Sequence, residues 1–92
     1  MISRQEFLLR ARLDDVTLTA WIEEEWILPR NAAAEGQFSE VDVARAELIR
    51  DLKHDLDVND AGIGVILNLV DQVHGLRRTL GELLQDRRER RE

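Results

Sequence analysis

The stretch DDVTLTAWIEEEWILPRNAAAEGQFSE, residues 14–40, decides how this chain folds. Val16, Leu18, Trp21 and Ile22 recur at helical spacing behind Asp14 and Asp15, and either carboxylate can cap the free N–H groups of a helix start. Pro29 has no amide hydrogen and is expected to stop that helix. Beyond it, residues 31–36 read as a loop closed by Gly36. Ile27-Leu28 and Gln37-Phe38, on either side of that loop, are expected to pair as a small two-stranded wing. Ser39-Glu40-Val41-Asp42 then opens another helix as a capping box, with Asp in place of the usual Glu.

Working outward, Ser3-Arg4-Gln5-Glu6 is a second capping box, opening a short first helix with Phe7, Leu8 and Ala11 on its apolar side. After Ser39, the residues Val41, Ala44, Leu48 and Leu52 are expected to face inward. Glu40, Glu47 and Asp51 form an adjacent acidic stripe, because spacings of seven and four nearly superpose on a helical turn. Asn59 is placed to cap a last helix running from about residue 60 toward 88, with Val58 and Ile63 as its hydrophobic staple. In that helix Ile66, Val73 and Leu80 fall at heptad position a, and Leu69, Leu76 and Leu83 at d. The filled seam predicts either pairing with a second copy or docking within one chain. Ile63, Leu67 and Val70 supply a second apolar side. Gly62, Gly64, Gly75 and Gly81 each cost about 0.5–1 kcal/mol of helix propensity, which implies a packed helix. The expectation is one all-α domain over 1–92, made of a helix-turn-helix-wing-helix part (1–58) and a long C-terminal helix (59–90).

The charge balance narrows the partner. Residues 1–76 hold 15 acidic and 7 basic side chains, a net of −8, and residues 77–92 hold 4 and 6, a net of +2. An acidic body repels polyanions and attracts basic surfaces. The basic run Arg87-Arg88-Glu89-Arg90-Arg91 suits the negative end of a helix dipole. The lack of cysteine excludes disulfides and thiolate metal sites. No signal-peptide pattern opens the chain, and residues 61–70 are too few to span a bilayer, so a cytoplasmic location away from membranes is expected.

Catalytic chemistry finds no constellation. His54 and His74 lack H-E-x-x-H spacing, and there is no phosphate-binding glycine loop or G-x-S-x-G elbow. Asp55-x-Asp57-x-Asn59 starts like an EF-hand loop, then puts Asp60 at the glycine position and Ile66 where the bidentate glutamate belongs. The expectation is a non-enzyme without cofactor or metal.

Thr17-Leu18-x-x-Trp21 followed by Trp26-Ile27-Leu28-Pro29-Arg30, then Gln37-Phe38-Ser39-x-x-Asp42, resembles the MerR-type winged helix-turn-helix from its second helix to the helix after the wing. Asn59-x-x-Gly62-Ile63-x-x-Ile66-Leu67 is similar to the next helix of one branch. DNA-binding members carry arginine after the Thr-Leu pair and a glycine at the end of that helix. Here Thr19 and Glu25 stand there, with Glu23 and Glu24 beside them. Carboxylates facing phosphates each cost on the order of 1 kcal/mol even in water-like dielectric, and DNA affinity rests on cations. Fold without DNA chemistry resembles the chaperone modulatory protein family, CbpM; residues 57–71, ending Ile66-Leu67-Asn68-Leu69-Val70-Asp71, match its C-terminal half.

That resemblance implies an inhibitor of a DnaJ-like, CbpA-type J-domain co-chaperone, masking the basic J-domain helix that docks on Hsp70. The partner-binding residues expected are Glu40, Glu47 and Asp51, then Asp55 and Asp71, which flank the family-like segment. Two other readings compete: a MerR-like DNA-binding transcriptional regulator related to heat-shock repressors, and a module whose only task is helix pairing into a homodimer.

Overall fold

The computed structural model describes residues 1–29 and 37–91. Four helices lie among them: α1 Arg4–Ala11, α2 Asp15–Glu23, α3 Glu40–His54 and α4 Asp60–Arg91. Two compact units result, Met1–Asn59 with α1–α3 and Asp60–Glu92 with α4.

In the first unit each helix starts where a short polar side chain satisfies its open N–H groups. Ser3 Oγ accepts from the Glu6 amide at 3.2 Å and Asp14 Oδ1 from the Thr17 amide at 2.7 Å. Ser39 Oγ accepts from the Asp42 amide while Asp42 Oδ2 accepts from the Ser39 amide, so this capping box is complete. A three-residue turn, Arg12-Leu13-Asp14, joins α1 to α2, and α1 packs on α3. Phe7, Leu18, Ile27, Phe38 and Ile49 are fully buried, with Trp21 and Trp26 nearly so. The Phe7 and Phe38 rings stack at 4.3 Å.

Helix α2 ends before Pro29, for a different reason than the one expected. Glu25 adopts a left-handed φ of 63°, its N–H donates to the Ile22 carbonyl, and the Trp26 N–H donates to the Trp21 carbonyl at 2.9 Å. This is a Schellman motif, completed by Trp26 lying against Trp21 with ring centroids 6.2 Å apart. A β-carbon in that conformation costs about 1–2 kcal/mol, which glycine avoids. Glu25→Gly should therefore raise stability by about 1 kcal/mol, and the melting temperature by roughly 4–8 °C. A calorimetric scan showing no rise or a fall would show that the glutamate side chain contributes more than its backbone costs.

Two sequence expectations are corrected. Phe38 does not pair with Ile27-Leu28, and no strand is found among the described residues. Phe38 instead exchanges two 2.9 Å backbone hydrogen bonds with Ile2 in an antiparallel bridge. The Ile27 N–H is turned back to the Trp21 carbonyl and so is not open to Phe38, and Leu28 is exposed. The loop residues 30–36 of the expected wing lie outside the described residues. The inward face of α3 is Val43, Ala46, Ile49 and Leu52, whereas Val41 and Ala44 are exposed and Leu48 is half-buried. Val16 of α2 is also exposed.

In the second unit α4 begins directly after Asn59. Ile63 and Leu67 are buried and Val70 is half-buried. No helix among the described residues is long and apolar enough to cross a membrane.

Candidate functional site

Helix α2, which the sequence resemblance would make the DNA-reading helix, is anionic in its chemistry. Between Leu13 and Leu28 the sequence has no lysine or arginine, and Asp15, Thr19, Glu23, Glu24 and Glu25 are all exposed. Arg4 of α1 reaches this helix, but its Nε donates to Asp15 Oδ1 at 2.8 Å and its terminal nitrogen to Thr19 Oγ1 at 2.9 Å. The guanidinium is thereby committed to the helix face it borders.

Helix α3 carries the acidic stripe at the expected register, with Glu40, Glu47 and Asp51 all exposed. Glu40 is not equivalent to the other two. Arg10 of α1 binds it through two hydrogen bonds of 2.7 and 2.5 Å, a bidentate guanidinium–carboxylate fork. The hydrogen bond from Arg10 holds the Glu40 carboxyl below the usual carboxylate range and raises the Arg10 guanidinium in turn. The Glu40 contribution to stability is thus present above the ordinary carboxylate range and is lost as pH falls through its lowered folded value. The Asp14 cap behaves likewise, lowered by its hydrogen bonds from Thr17. Nothing in the sequence pairs residues 10 and 40, thirty positions apart, and Arg10 was missed for that reason.

Asp55 closes α3 as an exposed cap residue, one turn beyond Asp51. Glu47, Asp51 and Asp55, at successive i,i+4 positions, are the part of the stripe beyond the Arg10 fork. Asp71 is exposed on α4, in the second unit. On the same helix Leu69, Val73, Leu76, Leu80 and Leu83 are exposed and Ile66 is half-buried. A β-carbon at Gly75 or Gly81 would meet nothing within 4 Å, and both lie off the a/d seam.

His54 and His74 are exposed, and no cluster of candidate metal ligands occurs among the described residues. What the first unit offers is surface chemistry on a scaffold of two short helices, a tight turn and a capped third helix, the build of a helix-turn-helix regulator. A family model described as MerR HTH family regulatory protein matches residues 2–85, and the chain belongs to that family. No curated protein and no solved structure matches it.

Proposed function

We propose that this chain is a non-enzymatic, cytoplasmic protein-interaction regulator of the CbpM type. It inhibits a DnaJ-like, CbpA-type J-domain co-chaperone by covering the basic surface that the J-domain presents to Hsp70. The observation that carries this reading is the chemistry of α2 and the turn that ends it, which lack any cation and expose Asp15, Glu23, Glu24 and Glu25 where a DNA-reading helix needs positive charge. The contact falls on Glu47, Asp51 and Asp55, with Glu40 as the neighbouring carboxylate of α3; Asp71 is a second-choice contact on α4, and two chains pair through the α4 seam.

Exposed ion pairs contribute only about 0.2–1 kcal/mol each, and charge reversal adds repulsion to the lost attraction. A Glu47→Lys, Asp51→Lys double variant should lose about tenfold in affinity for an isolated J-domain and release its stimulation of Hsp70. Association of the unmodified chain should slow as salt rises, because steering is screened over about 8–10 Å at physiological ionic strength. A folded double variant that still suppresses Hsp70 stimulation at full strength would remove the stripe from the mechanism. Retardation of duplex DNA by micromolar protein at physiological salt would favour the transcriptional-regulator reading instead.

A further inference from the structure

A cleft of about 470 Å³ opens in the first unit between the α1–α2 turn, α2 and the C-terminal end of α3. Its charge is opposite to that of the body around it. Arg12, Arg50 and Lys53 line it, together with His54, against the single carboxylate of Asp14. Residues 1–76 as a whole carry a net of −8. Each cation is positioned by structure. Arg50 donates to the Ala11 carbonyl at 3.3 Å, which pins it beside the end of α1. Lys53 Nζ lies 5.4 Å from the centre of the Trp26 ring. Arg12 sits in the turn itself at a left-handed φ of 59°, a conformation glycine or asparagine takes at lower cost. Trp21 and Leu13 add apolar wall, and exposed Val16 forms part of the rim.

We infer that this cleft binds an acidic peptide segment, with a carboxylate held by Arg12 and Lys53 and a neighbouring apolar side chain against Val16 and Trp21. Its volume lies in the range of pockets that take compact ligands. Guanidinium and ammonium donors around a concave site focus positive potential there and suit carboxylate oxygens. The Asp14 carboxylate on its lining, Asp15 beside it, and Asp51 and Asp55 on α3 repel an extended polyanion. A compact anionic group can enter between them, and the apolar wall selects a peptide over a bare inorganic anion.

The full chain, labelled with nitrogen-15, should be titrated with a short acetylated and amidated peptide in which a single glutamate adjoins a leucine. Parallel titrations use the lysine–leucine counterpart, an uncharged leucine–serine peptide with a free C-terminal carboxylate, and inorganic phosphate. Saturable shifts confined to the Arg12, Val16, Trp21 and Lys53 amides are expected with the acidic peptide. Shifts of equal size with the uncharged free-ended peptide would assign the carboxylate to a chain terminus rather than to side chains. The Arg12→Gln, Lys53→Gln double variant should weaken binding by about tenfold. Arg12→Gly, which relieves the backbone at that position and so retains the fold, should weaken it several-fold. Unchanged affinity in both variants would overturn the assignment. So would equal binding of the lysine peptide, or phosphate competing as strongly as the acidic peptide.

Discussion

Phe38→Ala should cost about 3–5 kcal/mol, the largest single-residue loss expected in the first unit. Native domains have only about 5–15 kcal/mol in total, so the variant should be largely unfolded at modest urea concentrations. Three interactions meet at this residue. The side chain is fully buried, its ring stacks on Phe7, and its backbone exchanges two hydrogen bonds with Ile2. It also stands immediately before the Ser39 capping box, so loosening it frees the start of α3. Val41→Ala, three residues on, is the control. Val41 belongs to the apolar set that spacing alone assigned inward, yet it is 71% exposed. Its truncation should change stability by no more than about 0.5 kcal/mol. Urea titrations followed by tryptophan fluorescence and circular dichroism would compare the two. Comparable losses from both would mean that α3 turns the other face to the core.

That contrast shows where the sequence is readable and where it is not. Helix starts were legible because a cap is a local bargain between one side chain and amides two or three positions on; Ser3, Asp14 and Ser39 all occupy the expected positions. The rotation of α3 was not, because its sequence holds two interleaved apolar sets at helical spacing. Val41, Ala44 and Leu48 satisfy the period as well as Val43, Ala46 and Ile49 do, and only the position of α1 and Phe38 chooses between them. Pairing across long separations was equally invisible. Ile2 and Phe38 lie thirty-six positions apart, and β-propensity near a loop favoured the closer Ile27-Leu28. The stop of α2 was unreadable for a related reason: Pro29 is the obvious local signal, whereas the left-handed backbone falls on Glu25, a residue type that does not advertise it.

The candidate surface divides the same way. Glu40, Glu47 and Asp51 share a stripe because helical geometry demands it, and all three are exposed. The sequence could not show that Arg10 occupies Glu40, which moves the open part of the stripe toward Asp55. The basic cleft was hidden more thoroughly. Arg12 lies thirty-eight positions before Arg50, and counting charges along the chain averages both into an acidic body.

Leu76→Glu should convert a dimer into a single chain, the largest change in assembly expected of any one substitution. Leu76 is at the centre of the a/d seam, 70% exposed, with Leu69, Val73, Leu80 and Leu83 also exposed on either side. Apolar side chains aligned at heptad spacing over about three heptads are the pattern that a second helix covers in a coiled coil. Burying a leucine contributes about 1.5–3 kcal/mol, and a two-chain seam loses that twice when position 76 changes. An ionised carboxylate facing its own copy adds desolvation and repulsion to the loss. The dissociation constant should therefore rise by at least about a thousandfold. Gly75→Ala is the matched control: it lies beside Leu76, off the seam and with open space around it, so it should strengthen the helix and leave the dimer intact. Sedimentation equilibrium reads the outcome directly, as a mass of twice 10.7 kDa falling to 10.7 kDa in Leu76→Glu. An unmodified chain that sediments at the single-chain mass even at high concentration would sink the pairing, and would leave the exposed leucines as surface for another protein.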